Sequence, residues 1–291
     1  MLHSEWLENL TQFMGSIDNY EDACVVILGV PLEITVSFRP GTRFGPQQIR
    51  TVSHGLEDYS MVLHKNLAEV PFFDAGNLAF PPGDLAASLQ LAEVAARQLF
   101  RDGKKPVFLG GEHLISLPLI KAAQESFPDL IIAHFDAHAD LREEYLGLSL
   151  SHATVMRRAS EIVGCRKIYQ FGIRSAIKEE IEYSKNHTRM YAHQVLEALP
   201  SAIAEWGKKP VYLTLDIDVV DPAYAPGTGT PEPGGCTAQE ILRAVYLLQE
   251  ANIVAADLVE VSPPNDHGDL TSILAAKLVR EIILGCFGKD K

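Results

Sequence analysis

Short runs of apolar, largely β-branched residues alternate along this chain with longer segments of helical periodicity. The runs CVVILG (24–29), PVFLGG (106–111), LIIAHFD (130–136), KIYQFGI (167–173), PVYLTLDID (210–218) and NIVAADLVE (252–260) are nearly continuous in their hydrophobicity. A strand with one wet face alternates apolar and polar residues, so most of these runs predict parallel strands covered on both faces. Helices are predicted over 83–103, 116–127, 237–250 and 270–287. In the first of them Leu85, Leu89, Ala92, Ala96 and Leu99 form an apolar stripe, and Gly103 closes the end. Strand–helix alternation of this kind predicts a three-layer α/β domain. No Pro-, Gly- and Ser-rich linker and no internal repeat divides the chain, so a single domain over residues 1–291 is expected.

The irregular pieces rich in Gly and Pro or in polar residues lie at 37–50, 136–152, 221–235 and 261–269. The last three directly follow predicted strands. In an open α/β sheet ligands bind outside the carboxyl ends of the strands, so these loops converge on the expected place.

Composition narrows the partners. The formal net charge is −13, from 25 basic and 38 acidic residues. That balance argues against nucleic acid or an anionic membrane surface, both of which need clustered Lys and Arg. No run is long and apolar enough to span a membrane, and the start MLHSEWLENL lacks the basic and apolar regions of a signal peptide. The expected location is the cytosol. Cys24, Cys165, Cys236 and Cys286 are widely scattered without CxxC spacing, which reads as dispersed buried or half-buried thiols in a reducing compartment.

The chemistry gathers where strands end. GGEH carries His113; DAHAD carries Asp136, His138 and Asp140; LDID carries Asp216 and Asp218; LVE carries Glu260. A lone Asp at a strand end ordinarily caps the next helix, and a lone loop His is ordinarily a surface group. Several strand exits carrying Asp or His, two of them at i, i+2 spacing, favour a site for two divalent ions. Nitrogen and oxygen donors without thiolate suit Mn²⁺, with Zn²⁺, Fe²⁺ or Co²⁺ less easily excluded, while imidazole argues against pure Mg²⁺ or Ca²⁺ cages. Glu112 beside His113 does not make HExxH, because residue 116 is Ser. GTGTPEPGG lacks the phosphate-loop lysine, and no GxSxG elbow surrounds Ser151, so nucleotide binding and serine catalysis stay weak.

The blocks GGEHL, FDAHADLREEY, SHATVMRR, LTLDIDVVDPAYAPGTGTPEPGG and ADLVEVSPPNDHGDLTSILAA resemble the signatures of the arginase/agmatinase family of ureohydrolases. RPGTRFGPQQIR resembles its early loop, and the likeness runs from roughly residue 23 to 285. Ala139 stands where many relatives have Thr and Glu112 where many have Asp, neither of them a metal ligand in the family. The resemblance implies a central, mostly parallel sheet of about eight strands between helical layers, and assembly into trimers or hexamers. It also implies two Mn²⁺ per subunit. His113, Asp136, Asp140 and Asp216 would hold one ion, and Asp136, His138, Asp216 and Asp218 the other. Asp136 and Asp216 would therefore bridge, and water between the ions would become a hydroxide nucleophile for a guanidinium carbon. Asp140 would also handle a proton, Glu260 would pair with the guanidinium, and His152 would shuttle protons to solvent.

The substrate implied is a small cationic guanidino compound. The loop LREEYLGLSLSH lacks the Asn with which arginases hold an α-carboxylate, and FGIRSAIKEE has Ser175 and Ile177 where an acidic residue for the α-amine is expected. The likeness is closest to prokaryotic agmatinases, particularly those of Gram-positive and thermophilic organisms, and implies hydrolysis of agmatine to putrescine and urea. Glu143 or Glu144 could supply an acidic pocket for the tail amine. Arginase, guanidinobutyrase and formiminoglutamase activities are the alternatives, the last needing a cation such as Arg142 or Arg174 for its carboxylate.

Overall fold

All six apolar runs become strands of one sheet in the computed structural model, which describes residues 2–8 and 11–288. Along the chain the strands are β1 (Leu7–Glu8), β2 (Val25–Val30), β3 (Tyr59–Ser60), β4 (Lys65–Asn66), β5 (Phe72–Leu78) and β6 (Lys105–Gly110). They continue as β7 (Ile131–Phe135), β8 (Ile168–Phe171), β9 (Thr188–Tyr191), β10 (Pro210–Asp216) and β11 (Asn252–Val259). The helices are α1 (Gly45–Ser53), α2 (Leu85–Arg101), α3 (Ser116–Ser126), α4 (Val155–Val163), α5 (Lys178–His187), α6 (Leu199–Trp206), α7 (Ala238–Leu248) and α8 (Leu270–Ile282).

The main sheet has nine strands in the order β1-β5-β2-β6-β11-β10-β7-β8-β9. Eight are mutually parallel, and the two-residue β1 alone runs antiparallel, on β5. The expected count of about eight is thus the parallel set, extended by an edge ribbon too short to carry a sequence period. Every residue of β2, β7 and β8 is buried, His134 and Gln170 included, as nearly continuous apolar runs lead one to expect. One buried cluster gathers α1, α6, α7 and α8 on one face, around Ile49, Trp206, Leu248 and Val279. The other gathers α2, α3 and α4 on the opposite face, around Leu99, Leu119 and Met156. These are the three layers.

Two expectations need correction. The piece 37–50 is not irregular throughout, because α1 begins at Gly45 with Pro46 in its first turn, where a missing N–H costs no hydrogen bond. The cysteines divide, with Cys236 and Cys286 buried but Cys24 and Cys165 exposed. The helix predicted to 287 holds its length, although its last turn, Ile283–Phe287, widens to a π-helix. Among the described residues no helix is long and apolar enough to cross a membrane.

Candidate metal centre

Four neighbouring strands in the middle of the sheet, β6, β11, β10 and β7, end side by side and deliver the predicted groups. β6 leads through Gly110 and Gly111 to Glu112 and His113. Gly111 is required there, since a Cβ would lie 2.0 Å from the Leu32 carbonyl oxygen. β7 runs into Asp136, His138 and Asp140, β10 into Asp216 and Asp218, and β11 into Glu260.

The i, i+2 spacing has a local cause. Asp136 Oδ1 accepts from the His138 N–H (2.6 Å), and Asp216 Oδ1 accepts from the Asp218 N–H (2.9 Å). Each first Asp closes a tight turn with one oxygen and leaves the other outside the turn, and the turn brings the second side chain to the same side. Asp140 and Glu260 both adopt left-handed backbone, at φ 53° and 65°. Non-glycine residues hold this conformation at a cost, which is met where surrounding contacts fix it. Here the Asp140 carbonyl accepts from the N–H groups of Met156 and Arg157, and Glu260 N–H donates to the Gly111 carbonyl.

His113 Nδ1 faces Asp136 Oδ2 (3.1 Å), Asp140 Oδ2 (3.1 Å) and Asp216 Oδ2 (3.4 Å). Its Nε2 pairs with Thr214 Oγ1 at 3.0 Å, while Nδ1 is buried with no hydrogen-bond partner. Beside this group, His138 Nδ1 lies 3.0 Å from Asp218 Oδ2 and 3.5 Å from Asp136 Oδ1. Asp136 therefore turns one oxygen to each group. Two donor sets that share a carboxylate suit two divalent cations, and the orphaned Nδ1 amid three carboxylate oxygens suits a metal better than a hydrogen bond. The electrostatics agree. Burial, with the charges of Asp218 and Asp136, drives Asp216 well above the usual carboxylate range, and Asp218 is raised for the same first reason. Burial opposes charge on the imidazoles too, yet Asp218 and Asp136 push His138 up to about 12. A cation held between the sets would satisfy every one of these carboxylates at once.

His134 lies within 4.8 Å of the first donor set, but both its nitrogens are taken. Nδ1 accepts from Gln170 Nε2 (3.1 Å), and Nε2–H donates to Asp136 Oδ2 (2.8 Å). It orients Asp136 from behind.

A cleft of about 280 Å³ opens over these groups and includes His152 and Glu260 in its lining. Glu260 Oε1 accepts from the His113 N–H at 2.7 Å, and burial, with the neighbouring charge of Glu112, raises its carboxyl to about 8. His152 is held below its ordinary pKa, chiefly by burial. All eight sequence-predicted residues thus converge. The tail residues do not: Glu143 and Glu144 are exposed and line no part of the cleft, and the Glu143 carboxylate lies 3.5 Å from Arg157. In their place the cleft shows Tyr145, Ile177 and Glu180. Glu180 was hidden in the charged stretch KEEIEYSKNH, yet its carboxylate is buried and accepts from the N–H groups of Leu141 and Ile177. Arg174 is spent on the carbonyls of Gly172, Asp218, Val219 and Glu232. Arg142 lines the cleft but stacks on Tyr145 (4.8 Å) beside Glu180 (3.9 Å).

Comparison with known proteins follows the same lines. The model of the Arginase family matches residues 23–285. An agmatinase of Bacillus subtilis is 47% identical over 276 residues, covering 94% of this chain and 95% of that protein. An agmatinase of Bacillus anthracis is 49% identical with the same coverage. The crystal structure of agmatine ureohydrolase of Thermoplasma volcanium superposes with a TM-score of 0.88 at 33% identity, covering 97% of this chain and 96% of the other.

Proposed function

Because the chain belongs to the arginase family, we propose that it hydrolyses agmatine to putrescine and urea with two Mn²⁺ ions per subunit. One observation carries the reading: two donor sets share Asp136 beneath a cleft whose lining includes His113, His138 and Glu260. His113, Asp136, Asp140 and Asp216 would hold one ion, and Asp136, His138, Asp216 and Asp218 the other. Bound divalent ions lower the pKa of water, which makes a nucleophile available near neutral pH.

The chain's own residues do the rest. Glu260 pairs with the guanidinium, orienting it for attack, and the arriving cation restores the negative form that burial disfavours. Asp140 accepts a proton from the nucleophile and passes it towards the departing amine. His152, half-buried in the cleft wall, carries protons between the site and bulk water. The tail of agmatine is a methylene chain ending in an ammonium, and the cleft offers Ile177 and the Glu180 carboxylate to match it. With Arg174 engaged by carbonyls and Arg142 paired beside Glu180, a substrate carboxylate would find little unpaired positive charge.

Urea release measured against agmatine, arginine and guanidinobutyrate, with formiminoglutamate hydrolysis and the metal content of the same preparation, tests the proposal. A preference for agmatine and about two manganese ions per chain are expected. A preference for arginine or formiminoglutamate would reject the substrate assignment.

A further inference from the structure

Glu112 sits beside the metal-facing His113 but turns its fully buried carboxylate the other way. Its Oε1 accepts from the Ile34 N–H (3.2 Å), and its Oε2 accepts from both the N–H and the hydroxyl of Thr35 (2.8 Å each). A hydroxyl has one hydrogen, and that of Thr35 is committed to the carboxylate. Toward its other neighbours Thr35 Oγ1 can only accept. Those neighbours are the backbone N–H of His152 (3.1 Å) and the ring Nδ1 of His152 (3.3 Å). Nδ1 must then carry the hydrogen of the neutral imidazole. The lone pair is left on Nε2, which lies 3.3 Å from Ser37 Oγ, a residue of the cleft lining. The Tyr145 hydroxyl donates to the same Ser37 Oγ (3.3 Å), so the Ser37 hydrogen is free to point at Nε2. The Tyr145 ring meets the imidazole edge-on at 5.5 Å and steadies its plane.

We propose that Thr35, held by Glu112, is the positioning residue for His152, fixing its Nδ1–H tautomer and leaving Nε2 as the proton-accepting atom on the cleft side. The inference rests on the proton-carrying role given to His152 above. Nε2 takes a proton and the ring becomes an imidazolium, with Nδ1–H still bonded to Thr35; the same Nε2 then gives that proton up. In the opposite tautomer Nε2 would already bear hydrogen and could accept nothing. A buried carboxylate orienting a histidine is a familiar arrangement, here with a hydroxyl interposed.

The test compares Thr35→Val, Thr35→Ala, Thr35→Ser and His152→Ala as manganese-loaded enzymes. It reads kcat and KM for agmatine, manganese content, and the response to added imidazole. Thr35→Val and Thr35→Ala should lose kcat on the order of 10- to 100-fold, a share of what general acid–base groups contribute, with KM and metal content unchanged. Thr35→Ser should restore most of the rate, and imidazole should recover part of the loss in the other three variants. Parent-like kcat in Thr35→Val and Thr35→Ala, alongside a slow His152→Ala, overturns the positioning role alone. So does a defect that Thr35→Ser shares, that imidazole leaves untouched, or that appears in KM or metal content. Full activity in His152→Ala overturns the underlying reading of His152 instead.

Discussion

Replacing His134 with Phe separates an orienting residue from a metal ligand. An aromatic ring, slightly larger, remains in a site with no solvent exposure, but it loses the Nε2–H bond to Asp136 Oδ2 (2.8 Å) and the acceptor for Gln170 (3.1 Å). A hydrogen bond to a charged group is worth about 1.5–3 kcal/mol. Outer partners of metal ligands are worth on the order of 10- to 100-fold in affinity, or about 1.4–2.8 kcal/mol at 1.4 kcal/mol per tenfold. The two ranges agree, so manganese affinity should fall by about that factor. Gln170 retains its bond to the Ala139 carbonyl (2.8 Å), which limits the collateral loss. Isothermal titration of the metal-stripped protein with Mn²⁺ measures the affinity directly, independently of turnover. Unchanged affinity would refute the orienting role. Complete loss of one ion per chain would show that His134 is itself a ligand.

Two further outcomes test the frame around the site. Arg50 is fully buried and binds Asp74 through Nε (2.8 Å to Oδ2) and Nη2 (2.9 Å to Oδ1), so Arg50→Met strands a buried carboxylate and should cost about 3–5 kcal/mol. Denaturant unfolding reads this, and a loss below about 1 kcal/mol, the scale of a surface pair, would reject the account. Asp221 accepts from the N–H groups of Ala223, Gly234 and Gly235, which hold its carboxyl below the usual range. A depressed folded-state pKa means the stabilisation is complete above the ordinary carboxylate value of about 4 and disappears as pH falls through the folded value. Asp221→Asn should therefore melt below the parent at neutral pH, with the gap narrowing in acid; a pH-independent gap would exclude this linkage.

Where a run of residues satisfied itself locally, it could be read from the chain. Six strands announced themselves because both their faces are covered and most of their side chains are apolar. β5 did not, since FFDAGNL carries Asp74 and Asn77 into the sheet, where Arg50 on α1 bonds both and the Phe13 N–H adds a bond to Asp74. α5 was silent for a related reason: its buried Glu180 bonds to backbone groups on another loop. The six residues proposed to hold metal were legible because strand-end Asp and His belong to a few short blocks, two of them at i, i+2 spacing, and the turns in those two form within the blocks.

The alternation of strands and helices, the Asp and His side chains gathered at strand ends and the family were all legible in the chain alone. They were so because hydrophobic period and local turn chemistry act over a few residues. The fold alone decided that Asp136 gives one oxygen to each donor set, that Glu180 and not Glu143 lines the cleft, and that Thr35 meets His152 across 117 positions of chain. Such contacts depend on which strands become neighbours, and no local pattern encodes a distance between loops so far apart.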